Sequence, residues 1–245
     1  MQSWPQGQSE HNLKASMSHP CPNLKVLSIH IPKTGGTSFR NTLKGIYGES
    51  SVVRVDALNK TDPIQVNNEA IPPDASIDVP VIHGHLTWKV WESRFQKPDA
   101  PPKIITWVRD PVERVTSQYH YLVSVLKKEL DEPGKGLDIL SKLMKTFPEF
   151  IRNPKMQNLM SRYFTIADLE AHMDFVGVLA HREEDLNRLG QILNWPQFED
   201  HQHNRTQNRP TPTPEEIDLI RAFNQSDVRL YEQVLEWREQ GKYLP

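Results

Sequence analysis

The most constraining feature of the chain is a short apolar run at residues 24–31 (LKVLSIHI) that stops abruptly at Pro-Lys-Thr-Gly-Gly-Thr-Ser. A run rich in β-branched residues, with little polar alternation, predicts a strand buried on both faces. After it, Phe39, Leu43, Ile46 and Tyr47 recur at spacings of four, three and one, the pattern of an amphipathic helix. Residues 24–47 therefore read as strand, glycine-containing turn and helix, the repeating unit of a parallel sheet covered by helices.

The rest of the chain extends this pattern. Residues 51–55, 79–83, 103–108 (KIITWV) and 175–179 read as further strands, and the polar, Pro-containing stretch 59–79 reads as loop. Asp110 is a good N-cap and Pro111 suits a first helical position. Val112, Val115, Tyr119, Leu122, Leu126 and Leu130 then carry an apolar stripe for some five turns. Weaker helical patterns lie at 137–146 and 155–163, and a clearer one at 183–193. Thr213-Pro214-Glu215-Glu216 is a capping box, and Ser226 is placed to cap a last helix running towards Gly241. Strands alternating with helices over 245 residues predict one α/β domain at 24–245, a three-layer fold with a mainly parallel sheet flanked by helices. Residues 1–23 read as a flexible N-terminal tail.

Bulk composition excludes some partners. A formal net charge of −2 provides no global basic field for nucleic acid, so any basic pocket has to be built from a few specific residues. No run approaches the ~18 apolar residues of a membrane span, and the polar N-terminus lacks the core of a signal peptide. Cys21 is the sole cysteine, which rules out an intrachain disulfide and favours a reducing compartment. Sequons at Asn59, Asn204 and Asn224 carry little weight without a secretion signal.

The sharp motifs sit where strands end, and that is where open α/β sheets bind ligands. In residues 32–38 two glycines permit close approach of the backbone to an anion. The following helix offers unpaired N–H groups, Lys33 a point charge, and Thr37 and Ser38 hydroxyls. Because the lysine precedes the glycines, this is no Walker A loop. Arg109 ends a later strand, and Ser117 lies two turns into the next helix. Arg109 has a fork suited to phosphate, and pairing with Asp110 or Glu113 is the competing reading. His83-Gly84-His85 brings two imidazoles to a third strand end, and an imidazole suits removal of a hydroxyl proton. The intervening glycine reads as a bend that turns the rings towards the cleft. The competing readings are a purely structural pair, or half of a metal site completed by His201 and His203. His30, His120, His172 and His181 receive no role. Trp88, Trp91 and Tyr119, close to the motifs, suit either ring stacking or core packing.

Together, PKTGGTS after the first strand and RDPVERVTSQYHYL after a later one resemble the two binding segments for 3′-phosphoadenosine 5′-phosphosulfate (PAPS) in sulfotransferases. The likeness is strongest to the carbohydrate-modifying branch that includes heparan sulfate 2-O- and uronyl 2-O-sulfotransferases. It covers residues 24–126 well and continues weakly through Phe175-Val176-Gly177-Val178. The resemblance implies a P-loop nucleotide-kinase-like sulfotransferase fold and PAPS as donor, with adenosine 3′,5′-bisphosphate as product and no metal. It implies that Lys33, Thr34, Gly35, Gly36, Thr37 and Ser38 hold the 5′ end, and that Arg109 and Ser117 hold the 3′-phosphate. Arg205 or Arg209, in the loop 201–212, is then a further phosphate ligand, the choice between them left open. His85 becomes the catalytic base, His83 its support or the group that orients the acceptor, and Lys33 a third catalytic group. The implied acceptor is a hydroxyl on a glycan or other small molecule. The implied compartment is the cytoplasm for a bacterial-type enzyme, or the Golgi lumen for a trimmed piece of an anchored eukaryotic one. The alternatives are a P-loop nucleotide kinase and a non-catalytic nucleotide- or glycan-binding module.

Overall fold

The computed structural model describes residues 18–129, 146–198, 200 and 211–243. Five strands, β1 (Val26–Ile29), β2 (Val52–Val53), β3 (Val81–Gly84), β4 (Lys103–Val108) and β5 (Phe175–Val178), form one sheet in the order β5-β4-β1-β3-β2. Every pairing in it is parallel. The chain runs from β1 outwards to β2, returns to β3, then crosses β1 to β4. The strand order therefore reverses at β1, and the crevice beyond its carboxyl end is the expected ligand position.

The strands' period of two sorts the core into layers. On one face Val26, Val81, Ile105 and Phe175 pack against Phe39 and Leu43 of helix α1 (Gly36–Tyr47) and Leu186 and Leu189 of a later helix, Arg182–Ile192. On the other, Leu27, Ile82, Val108 and Val176 meet Trp88 and Trp91 of α2 (Trp88–Arg94), together with Met160, Leu169 and Val234. These last three lie on the helices Leu159–Tyr163, Ile166–His172 and Gln225–Glu239. The architecture is thus the expected three-layer one, a parallel sheet between two layers of helices.

Helix α3 (Pro111–Glu129) begins as the capping pattern predicts, with Asp110 Oδ1 accepting from the Glu113 N–H at 3.0 Å. Its stripe of Val112, Val115, Tyr119 and Leu122 joins Phe150, Ile151 and Ile220 in a third cluster. Buried Asp227 accepts from the backbone N–H groups of Met160 (3.0 Å) and Ser161 (2.8 Å). Arg114 Nε lies 3.8 Å from the same carboxylate, so α3 is anchored one turn from Ser117.

Several expectations are corrected. Residues 18–23 are not tail: His19–Pro20 pairs in parallel with Phe95–Gln96, and His19 and Cys21 are buried. Burial pushes the Cys21 thiol up to about 12, which leaves it unreactive. The stretch 59–79 is not all loop. Val55–Asp56, Gln65–Val66 and Glu69–Ala70 form a small antiparallel sheet, turning through Asn67 and Asn68 at φ 51° and 72°. The strand predicted at 51–55 is split between this sheet and β2. The helical pattern at 155–163 resolves into a 3₁₀ turn, Pro154–Met156, and the helix Leu159–Tyr163. Phe147–Arg152 and Ile166–His172 were not predicted. Each opens on a capping box, Thr146 with Glu149 and Thr165 with Asp168. The last helix is not capped by Ser226: the Ser226 N–H donates to Asn158 Oδ1 at 3.0 Å. Trp88 and Trp91 are core, and Tyr119 packs on Phe147 and Phe150 at ring distances of 4.8 and 5.4 Å. The two tryptophans are therefore not available to stack on a ligand. Most of the 137–146 pattern lies outside the described residues, as do Leu130, His201, His203, Arg205 and Arg209.

Candidate active site

The turn after β1 has the backbone of an anion site. Lys33 and Gly35 both adopt left-handed conformations, φ 72° and 88°, and Gly35 is the N-cap of α1 with no side chain capping it. The Phe39 N–H is the first to close an intrahelical bond, to the Gly35 carbonyl, so the amides of residues 36–38 lead the helix without helical partners. A non-glycine residue held in the left-handed region costs about 1–3 kcal/mol, a strain typical of ligand-binding turns. Thr34 serves the turn itself, since its buried hydroxyl donates to the Ile31 carbonyl at 2.8 Å. Thr37 is exposed and Ser38 half-buried. Lys33 Nζ lies over the Tyr121 ring, 4.0 Å from its centroid.

The two halves of the predicted donor site share one cleft of about 1620 Å³ beyond the carboxyl end of the sheet. Lys33, Arg40, Lys44, Arg54, Arg109 and Arg182 line it, against Glu183 and Glu184, so a chain of net charge −2 carries a locally positive cleft. Ser117 also lines it and is itself buried. Arg109 donates from Nε to Glu113 (3.1 Å) and from Nη1 to the Lys33 carbonyl (3.2 Å). The ion pair weighed in the sequence is therefore present, and the same guanidinium also ties the strand end to the anion turn.

The histidine motif is arranged differently from a simple bend. Gly84 lies within β3 and its missing side chain makes room for another strand. A Cβ there would stand 1.9 Å from the Val55 carbonyl oxygen. That close approach brings Asp56 beside His85. Asp56 Oδ1 accepts from the His85 backbone N–H at 2.9 Å and lies 3.0 Å from ring Nδ1. Arg54 Nε reaches Asp56 Oδ2 at 2.6 Å, while its Nη2 lies 3.2 Å from His85 Nδ1. One ring nitrogen cannot donate to Asp56 and accept from Arg54 at once. Burial pushes Asp56 up, but the hydrogen bonds from the His85 ring and backbone, with the charges of His85 and Arg54, hold it below its usual value. An ionised carboxylate only accepts, so Nδ1 carries a proton, and in the neutral ring the lone pair is on Nε2.

His83 is buried in the floor, with Ser28 Oγ 2.8 Å from its Nδ1. Burial above all, then the charges of His85, Arg40 and Arg54, lower its pKa to about 3 against an opposing backbone hydrogen bond to Gly36. It is neutral at physiological pH. His30, left without a role by the sequence reading, is stacked on the His83 ring and tilted against that of His85. Its centroid lies 5.2 Å from that of His83 and 4.9 Å from that of His85. Burial, then His83, His85, Arg54 and Lys33, hold it well below the usual histidine range. Its ring occupies the space where a Cβ on Gly36 would lie, with ring atoms from 2.1 Å. Gly36 thus admits His30, and His30 bridges the anion turn to His85.

Sequence reasoning missed Arg54, Asp56 and His30. For His30 a signal existed, because Val26, Ser28 and His30 share one face of β1 by alternation. His120 and His181, also without a role in the sequence reading, line the cleft. Among the described residues no group of three or more His, Cys, Asp or Glu side chains is placed to hold a metal ion.

No family model matches the chain, and neither does any curated protein. Among solved structures it is similar to mouse sulfotransferase SULT7A1 complexed with PAP, at 11% identity and TM-score 0.39. That match covers 86% of this chain and 66% of the mouse one, so the chain spans just under two thirds of its length. It is also similar to a sulfotransferase from Alicyclobacillus acidocaldarius, at 14% identity and TM-score 0.42, over 88% of this chain and 96% of that one. Among the described residues no helix is long and apolar enough to cross a membrane.

Proposed function

We propose that the chain is a sulfotransferase that uses PAPS as donor and a hydroxyl group as acceptor, with His85 as the base. The observation that carries this reading is the Asp56–His85 pair, set on the same cleft as the anion turn and joined to it through the His30 ring. A hydroxyl is a weak nucleophile. A base fixed in one tautomer beside a preorganised anion site is the apparatus that activates it.

The residues fit the donor. The open amides of residues 36–38 suit its 5′-phosphate, and Lys33 adds a charge beside them. Arg109 and Ser117, which line the same cleft, suit its 3′-phosphate as the two-segment resemblance implies. When bound, PAPS supplies an electrophilic sulfur joined to phosphate through a bridging oxygen. His85 Nε2 takes the acceptor's proton as the new oxygen–sulfur bond forms. Lys33 would offset the negative charge that leaves with adenosine 3′,5′-bisphosphate as the bond from sulfur to phosphate oxygen breaks. Asp56 stabilises the imidazolium formed at His85. His83, neutral and bonded to Ser28, supports the ring stack from below. Positioning and electrostatics account for most of the acceleration in this scheme.

A sugar hydroxyl is the acceptor that the two motifs suggest by resemblance, in a glycan or a smaller molecule. The rival nucleotide kinase is separated by thermal shift. Adenosine 3′,5′-bisphosphate is expected to stabilise the protein by linkage, by ~2.7 kcal/mol at a concentration 100 times its Kd, and ATP–Mg²⁺ much less. The reverse order refutes the sulfotransferase reading.

A further inference from the structure

Arg182, the first residue of the helix Arg182–Ile192, was not singled out by its sequence, yet it is a buried cation in the cleft wall. Its side chain is 8% exposed. Nε and Nη2 fork onto the Asp200 carboxylate at 3.0 and 2.8 Å, and Trp107 lies beside the guanidinium at 5.7 Å from its carbon. Thr42 Oγ1 of α1 lies 3.4 Å from Asp200 Oδ1 and 3.1 Å from the Ser38 carbonyl oxygen. The fork fixes the plane of the guanidinium and leaves one nitrogen outside it. That nitrogen, Nη1, is buried and has no hydrogen-bond partner among the described residues.

Its position is what gives the unpaired nitrogen meaning. A Cβ on Gly35 would lie 3.6 Å from Nη1. Gly35 is the left-handed N-cap of α1, directly before the open amides of residues 36–38. Asp200 balances the formal charge of Arg182 but cannot reach the two N–H bonds of Nη1. Buried donors are nearly always paired in native proteins. The acidic residues next in sequence do not serve: Glu183 is exposed, and Glu184 pairs with Arg188 and Arg238.

We propose that Arg182 is a ligand of the anion seated on the 32–38 turn, donating from Nη1 to a phosphate or sulfate oxygen, with Asp200 as its positioning residue. This rests on the donor-site reading above and adds a residue outside both motif segments. The turn is then closed from three sides, by the α1 amides, by Lys33 and by a guanidinium whose orientation is set before the ligand arrives.

Calorimetric binding of adenosine 3′,5′-bisphosphate and of adenosine 3′-monophosphate tests it, because only the first carries the 5′ anion. Arg182→Ala is expected to weaken the bisphosphate by about 10- to 100-fold, the range of a hydrogen bond to a charged group, and to leave the 3′-monophosphate within about twofold. Asp200→Asn, which loosens the fork, is expected to weaken the bisphosphate selectively by a smaller factor. Equal losses for both nucleotides, the mark of a merely structural role, or no loss for either, overturn the inference. If Arg182→Ala does not fold, Arg182→Lys is held to the same selective loss, since lysine keeps the charge and lacks the fork. If the unmodified protein binds neither nucleotide, the donor reading fails. Arg182 is then judged by inorganic pyrophosphate, whose thermal stabilisation must shrink in the variant or the inference falls too.

Discussion

Replacing Asp56 with asparagine probes the proposed mechanism at its most specific point. The carboxylate accepts from His85 twice, at the backbone N–H and at ring Nδ1, and pairs with Arg54. Asparagine keeps the volume and can still accept the backbone bond. Its amide nitrogen, though, can donate to Nδ1, and so can Arg54 Nη2, already 3.2 Å away. Both donors favour the tautomer with its proton on Nε2, the nitrogen that must accept the acceptor's proton. The same exchange in the serine-protease triad removes about 10⁴ in kcat through the wrong tautomer. Loss of a general base generally costs ~10²–10⁴. A fall in kcat of about 10²–10⁴ is expected here, with donor affinity within about twofold because neither changed atom touches the anion turn. Steady-state kinetics with labelled PAPS gives the first quantity and calorimetry with adenosine 3′,5′-bisphosphate the second. Asp62→Asn is the control, since the Asp62 carboxylate bonds Leu58 and Asn59 and Asp62 does not line the cleft. A kcat for Asp56→Asn within threefold of the parent refutes the tautomer argument.

Two further outcomes follow from the same geometry. His83 has a folded pKa of about 3 and an ordinary value of 6.5, so on acidification the unfolded chain binds a proton that the folded chain refuses. Stability from this group is full above about pH 6.5 and falls as pH drops towards 3, by up to ~1.4 kcal/mol per pH unit. Urea unfolding between pH 7 and 4 measures the slope, and His83→Gln is expected to flatten it. An NMR titration showing His83 protonating near pH 6 contradicts this. Gly84→Ala sets a methyl group into the Val55 carbonyl and must push the Val55–Asp56 strand away. A loss of ~1–3 kcal/mol in stability is expected together with a fall in kcat, whereas normal turnover shows that the close approach does not hold Asp56 in place.

What the sequence made legible was local. Buried parallel strands are continuous apolar runs, so the five strand positions were readable from 24–31 to 175–179, and the Asp110 and Thr213 caps announced their helices. The glycine turn after β1 was readable because its glycines stand between an apolar run and a helical stripe. The partner of His85 was not. Arg54 and Asp56 lie in and beside a two-residue strand with no periodicity to read, and they meet His85 only through the packing of Val55 on Gly84. Gly84 was noticed, but for a bend rather than for a close approach. The hairpin at residues 65–70 was missed although Asn67-Asn68 is a strong turn signal, because two-residue strands give alternation nothing to register. Arg182 looked like one more charge at the start of an acidic helix, and only its fork on Asp200 sets it apart.

The central claim is sulfuryl transfer at this cleft with His85 as base, and one measurement meets it directly. The protein and its His85→Ala variant are incubated with PAPS labelled at sulfur and a panel of glycans, phenols and simple alcohols, and the label is followed into product. Transfer to at least one hydroxyl acceptor by the parent protein is expected. The rate in the variant is expected to be lower by ~10²–10⁴, with adenosine 3′,5′-bisphosphate still bound. Transfer undiminished in His85→Ala contradicts the assignment of the base. No transfer to any acceptor, alongside phosphoryl transfer from ATP–Mg²⁺, contradicts the function itself.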